Sequence, residues 1–186
     1  MKKIVPAAMA LAMIFAGNAY LSGQSVFLGG QFGLSAQKPK LSDFEFSTNT
    51  TYLYGVFAGI KVSSLALEAN YFQAAHNLEL KEVLDPWADR EIDYNYIGVN
   101  LKLFLPLPIL NPYLTGGYGS YKADISGVDS DSNGGFNFGA GVELKLGSHF
   151  AIRGEGKYHH VKLNIDEREL KLGDFTLAAG VVFYIN

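Results

Sequence analysis

After the first twenty or so positions, apolar and polar residues alternate with a period of two along most of the chain, in eight separate blocks. Successive strand residues face opposite sides, so this period marks strands with one apolar and one polar face. The blocks are 24–36, 51–61, 64–75, 92–105, 109–121, 136–146, 150–159 and 175–185. The fourth is the cleanest: Ile97, Val99, Leu101, Leu103 and Leu105 oppose Tyr96, Gly98, Asn100 and Lys102. In the last, Phe175, Leu177, Ala179, Val181, Phe183 and Ile185 oppose Thr176, Ala178, Gly180, Val182 and Tyr184. The fifth is ambiguous, with glycines and tyrosines on both sides of Leu114.

The connections alternate too. Those at 37–50, 76–91, 122–133 and 163–173 are long and polar, whereas those at 61–64, 106–108 and 147–149 are tight. Seven such links predict an up-and-down arrangement of eight strands, with both chain ends on the short-turn side. The blocks match the 9–11 residues (approximately) that a tilted strand needs to cross a bilayer, against about five or six in soluble sheets.

Alternation does not itself say which face points inward, and a lipocalin-like soluble barrel has the same period. Three features predict apolar outside. Lys, Arg and Glu fall on the face opposite the apolar one. That face also carries the glycines at 33, 55, 59, 98, 139, 141 and 180, which suit a narrow interior filled by side chains. Aromatic residues recur near strand ends (Tyr52, Tyr54, Tyr71, Tyr113, Phe136, Phe150, Phe175, Phe183), as interfacial girdles require. The fold class expected is all-β: an eight-stranded antiparallel up-and-down transmembrane β-barrel.

The N-terminus changes the picture of the mature chain. Lys2 and Lys3 precede an apolar stretch from Ile4 to Phe15, and Gly17-Asn18-Ala19 supplies small residues for cleavage. This predicts a signal peptide over 1–19 and a barrel domain over 20–186. The chain has no cysteine, which removes lipoprotein anchoring, disulfides and thiol nucleophiles. A net charge of -3 argues neither for nucleic-acid binding nor for a strongly basic membrane-surface role, and no nucleic-acid partner is expected.

Candidate chemistry is sparse. Asp129-Ser130-Asp131-Ser132-Asn133-Gly134 imitates the start of a calcium loop, but Ala140 stands where the bidentate glutamate belongs. His159 and His160 are neighbours in a strand and face opposite ways, so they do not chelate one metal. No serine follows them closely to make a lipid-cleaving pair. The connection 76–91 mixes Leu78, Leu80, Val83, Leu84 and Trp87 with charges, which suits packing over a rim or docking. No catalytic residue, metal ligand or cofactor site is expected.

On this layout, and on the terminus Gly180-Val181-Val182-Phe183-Tyr184-Ile185, the chain resembles the small eight-stranded outer-membrane proteins of the OmpA/OmpX type, porin-like β-barrels. The terminus looks like the signal read by the barrel-assembly machinery, with Gly180, Phe183 and Ile185 as its key positions. The resemblance implies a lumen plugged by charged side chains. The equivalents here are Lys61, Glu68, Lys102, Glu143, Lys145, Arg153, Glu155 and Lys157, since an unpaired charge in a closed lumen is expensive. It further implies a monomer in the outer membrane of a Gram-negative bacterium, surrounded by outer-membrane lipid. Its expected role is envelope integrity or surface interaction through a ligand on the loops. A narrow solute channel, a lipocalin-like carrier and a lipid-modifying enzyme are the alternatives.

Overall fold

The computed structural model describes residues 24–41, 44–45, 49–77, 91–105, 107–125, 131–165 and 168–185, and among these every regular element is a strand. The proposed signal peptide, and with it the boundary at residue 19, lies outside the described residues. The strands are β1 (Gln24–Leu41), β2 (Phe44–Glu45), β3 (Asn49–Val62), β4 (Leu65–Asn77), β5 (Glu91–Phe104), β6 (Leu110–Ile125), β7 (Asp131–Lys145), β8 (Phe150–Ile165) and β9 (Arg168–Ile185). The two-residue β2 only folds back on the end of β1. The eight long strands pair with their sequence neighbours, all antiparallel, and β9 pairs with β1 to close the wall.

The register fixes the barrel's shape. Following Cα partners from Val26 leads through Ile60, Leu67, Leu101, Gly116, Phe138, Tyr158 and Phe175 to Ala36. One circuit therefore climbs ten residues along β1. With strands about 4.8 Å apart and a rise of about 3.3 Å per residue, that stagger tilts the strands by roughly 40°.

The two faces are inverted relative to a soluble protein. Leu101 is 55% exposed while its neighbour Lys102 is 1% exposed. The same reversal holds along the wall: Leu28, Val56, Leu67, Leu103, Leu114, Phe138, Leu177 and Val181 are exposed, and Glu68, Asn100, Glu143 and Arg153 are buried. An apolar band running right round a barrel far exceeds the few hundred Å² that soluble monomers expose, and is stable only where hydrocarbon replaces water. The lipocalin-like arrangement is thereby set aside. Among the described residues each long strand is paired on both sides, as backbone facing lipid requires.

Two expectations need correction. Tyr113, assigned to the outer girdle, is buried in the lumen at 3% exposure. In β6 the inner positions are Asn111, Tyr113, Thr115 and Tyr121, which settles the ambiguous block. Tyr113 turns inward because its hydroxyl donates to Glu155 Oε2 at 2.9 Å. The polar connections are also shorter than their composition suggested. β8 and β9 pair as far as Ile165↔Arg168, β6 reaches Ile125, and β7 starts at Asp131. Pairing continues there because the period of two continues, with Val161, Leu163 and Ile165 at alternate positions of β8. The polar alternates disguised this as loop.

The inward glycines serve close packing. A Cβ on Gly98 would run into the Tyr96 hydroxyl and the Tyr118 carbonyl, and one on Gly119 would strike the Tyr96 ring. On the outer wall the opposite holds at Gly154, where an added Cβ meets nothing within 4 Å. Replacing Gly98 by Ala is therefore expected to destabilise the barrel by about 1–3 kcal/mol through overpacking. Gly154→Ala should stay within about 0.5 kcal/mol or stabilise slightly. Urea titrations of folding into detergent or vesicles, read by heat-dependent gel mobility, check both; equal losses would contradict the steric account.

Candidate functional site

The lumen is filled in three tiers. Nearest the short turns lies an aromatic layer of Phe27, Phe57, Phe104, Tyr113 and Tyr184 with Ala66, Ala151 and Val182. Nearest the long connections lies a second, of Phe72, Tyr96 and Tyr121 with Leu53, Ala74 and Val161. Charged groups from three strands, β4, β5 and β8, meet between them.

At the centre, Glu68 of β4 accepts from Arg153 of β8 and from Lys102 of β5, the latter at 2.9 Å. Lys102 also reaches Glu155 Oε2 at 2.7 Å, and Lys157 pairs with Glu155 Oε1 at 2.7 Å. The chain of contacts thus runs Arg153, Glu68, Lys102, Glu155, Lys157. Gln31 and Asn70 extend it: Arg153 Nη2 donates to Gln31 Oε1 at 3.3 Å, and Asn70 Nδ2 donates to Glu68 Oε1 at 3.3 Å. A second pair lies toward the short turns, where Lys61 is 3.7 Å from Glu143 and the Tyr184 hydroxyl donates to Glu143 at 2.6 Å.

The aromatic layer supports the cations as well. Arg153 Cζ lies 3.4 Å from the centre of the Phe57 ring, and Lys61 Nζ lies 3.6 Å from that of Phe104. Such ring faces stabilise a desolvated cation. Together these contacts supply what a charge removed from water requires, a counter-ion plus further polar partners.

Of the eight network candidates, seven lie in these contacts. Lys145 does not. It is exposed at the short-turn rim, just before the turn of β7 into β8, where water solvates it and no partner is required. Of the assembly-signal positions, Gly180 faces the lumen against Gln31 and Arg153, whereas Phe183 and Ile185 face outward. Phe183 packs edge-on to Phe150, with ring centres 5.0 Å apart.

The inner aromatic layers went unread in the sequence, although a signal existed. The inward glycines and inward rings are matched: Gly59 leaves room for Phe27, Gly29 for Phe57, Gly141 for Tyr113 and Gly135 for Tyr121. His159 belongs to the outer of these layers. Its Nδ1 is 2.8 Å from the Tyr121 hydroxyl and its Nε2 is 3.1 Å from Thr176 Oγ1, while His160 is exposed on the opposite face. Nearby, Ser35 donates to Asp174 at 2.7 Å. A serine–histidine contact that the sequence reading passed over joins Ser148 and His149 at 2.8 Å, on the exposed turn between β7 and β8. Among the described residues no group of three His, Asp or Glu side chains is placed to hold a metal ion. Asp129 and Ser130 of the calcium-loop imitation lie outside the described residues, as does most of the connection holding Trp87.

A closed, tilted, eight-stranded wall with lipid outside and ion pairs inside defines a transmembrane β-barrel. Residues 7–183 match the outer membrane protein beta-barrel domain, and the chain belongs to that family. It is a protein of the Gram-negative outer membrane. Among solved structures it is similar to Neisserial surface protein A, with TM-score 0.63 and 15% identity over 87% of this chain and 97% of that one. It is also similar to OprG of Pseudomonas aeruginosa, with TM-score 0.58 and 13% identity over 88% and 96% of the two chains. A third likeness is to the N-terminal barrel of Pseudomonas aeruginosa OprF, with TM-score 0.53 and 14% identity over 83% and 97%. These likenesses concern the fold. No curated protein matches the sequence.

Breaking the central pairs should be costly. Glu68→Ala leaves Arg153 and Lys102 short of a counter-ion and is expected to destabilise the barrel by about 3–5 kcal/mol. Lys145→Ala should change stability by no more than about 0.5 kcal/mol. Denaturant titration of both variants in the same lipid checks the contrast, and a silent Glu68→Ala would show that the pairs carry little of the stability.

Proposed function

We propose that this protein is a plugged, non-enzymatic outer-membrane barrel that serves envelope integrity or presents its long connections for surface interaction, and does not conduct solutes. The observation that carries this reading is the central tier. Glu68 and Asn100 are 0% exposed and Lys102 and Arg153 are 1% and 3% exposed, so these four side chains are packed against one another and their neighbours with almost no water-accessible surface. An aromatic layer closes each side of that tier. A structural plug suits a scaffold whose function sits in its connections.

Two further assignments belong to this reading. Gly180, Phe183 and Ile185 act as the signal for the barrel-assembly machinery: outward Phe183 and Ile185 on the final strand are open to a partner before β9 meets β1. A catalytic role for His159 finds no support, because both its ring nitrogens are engaged within the lumen. The protein acts as a monomer with outer-membrane lipid around it.

Purified protein in planar bilayers tests the plug. The expectation is no discrete single-channel openings across the physiological voltage range. Reproducible openings in the wild type, lost in Glu68 or Arg153 variants that shift normally on gels, would instead assign a narrow channel.

A further inference from the structure

Three ladder rows lie one above another on the inner wall of β5–β8. The lowest is Phe104↔Tyr113↔Gly141↔Glu155 and the middle one Lys102↔Thr115↔Gly139↔Lys157. The upper row is Asn100↔Gly117↔Asn137↔His159. The glycines let long side chains lie flat across the wall. The Lys157 stem rests where a Cβ on Gly139 would stand, and the Asn100 amide where one on Gly117 would. Lys157 thus leans from β8 over β7 toward Thr115, and Asn100 leans from β5 over β6 just above it. Lys102 and Lys157 each bind one oxygen of the Glu155 carboxylate at 2.7 Å, so their ammonium groups are close neighbours.

This patch is unbalanced in two independent ways. The first is charge. Arg153, Lys102 and Lys157 face only Glu68 and Glu155, three cations against two carboxylates. Among the described residues the other lumen charges do not make up the difference. Lys61 and Glu143 form their own pair toward the short turns, and Asp174 is bonded to Ser35 in the layer of His159, its ladder partner.

The second imbalance is in hydrogen bonding. Thr115 Oγ1, Asn100 Nδ2 and Oδ1, and Asn137 Oδ1 are buried without a partner, all in the middle and upper rows. Buried polar atoms in that state are rare in folded proteins and call for an explanation. Water alone would satisfy these atoms but leave the positive charge, and an unneutralised charge in a closed lumen is expensive. An anion meets both needs. The Thr115 hydroxyl and the Asn100 Nδ2 group donate to it, and the lysines neutralise it. The amide oxygens of Asn100 and Asn137 accept instead, from a water that hydrates the anion. Glu155 does not repel it strongly, because Lys102, Lys157 and the Tyr113 hydroxyl occupy both carboxylate oxygens.

We propose that the inner wall of β5–β8 binds one small monovalent anion of the halide kind, with Lys157, Thr115 and Asn100 as its direct ligands. A single charge matches the excess of one cation. Small size follows from enclosure: Tyr96, whose hydroxyl accepts from Asn137 at 2.9 Å, closes the patch above, and Tyr113 closes it below. The site goes beyond the plugged reading and holds whether or not the barrel conducts; bilayer conductance bears on the plug alone.

The test uses the full-length barrel in detergent, unfolded in urea while sodium gluconate is replaced by sodium bromide at constant ionic strength. Gluconate is too bulky for the site, and constant ionic strength holds screening fixed. Once bromide exceeds half-saturation, the wild-type ratio of folded to unfolded protein should rise about tenfold for each tenfold in bromide. Lys157→Gln should abolish that dependence, and Thr115→Val should weaken bromide binding about tenfold. Lys145→Gln, at the exposed rim, should behave as wild type. Heat-dependent gel mobility establishes that each variant is folded. Crystals of the wild type grown in bromide should show an anomalous peak within hydrogen-bonding distance of Thr115 Oγ1 and Lys157 Nζ, a result that does not depend on any variant folding. A wild-type ratio indifferent to bromide, or a dependence kept by folded Lys157→Gln, overturns the proposal. A peak on the outer surface alone, or one in the lumen without any effect on stability, marks an adventitious ion only and overturns it equally.

Discussion

Eight strands staggered by ten residues enclose a bore only about 16 Å across between backbones, so side chains from opposite walls must meet in the middle. Almost everything else in this molecule answers to that narrowness. Apolar side chains are needed on the outside, where lipid is the solvent, and the interior is left to whatever can be packed and neutralised. Arg153 reaches across to Glu68, and Lys102 joins Glu68 to Glu155, because burial removes them from the bulk solvent that would otherwise stabilise them separately. The charges are paired because they are enclosed.

The same narrowness explains why glycine and aromatic residues share the inner face. A ring as large as Tyr96 fits only if the wall beside it recedes, and Gly98 on the same strand and Gly119 on neighbouring β6 provide that recess. Tyr96 then stacks on Phe72 with centres 4.9 Å apart and lies 4.7 Å from Tyr121. Glycine weakens a strand in isolation; here the loss is offset by packing that a larger residue would prevent. On the outer wall Tyr118 and Tyr158 lie over Gly134 and Gly173, covering backbone that would otherwise face the surroundings bare.

Much of this was legible in the chain. The period of two located each strand and separated the lipid face from the lumen face, because Lys102 alternates with Leu101 along β5 and Glu143 with Leu144 along β7. What the pattern could not convey was partner choice. Glu68 meets Arg153, 85 residues away, through the curvature of the wall, which no local spacing encodes. Tyr113 was misplaced because a tyrosine suits an interface and a lumen equally, and a hydrogen bond to Glu155 decides between them. The upper reaches of β8 and β9 read as loop because strand pairing there is carried by backbone among charged residues, without the apolar outer face used to recognise a strand.

The closure between β1 and β9 has a consequence for how the protein comes into being. Ser35 and Asp174 are 139 residues apart in sequence, yet they are hydrogen-bonded across the seam. Every other neighbouring pair of long strands can zip from its own hairpin, but β1 has a free edge on one side until the last strand has been synthesised and delivered. Non-local pairing of this kind is slow, and an unpaired edge is a template for association with other chains. The seam is therefore the step at which a nascent barrel is most exposed to mispairing, and the folded wall retains no edge by which that hazard could return.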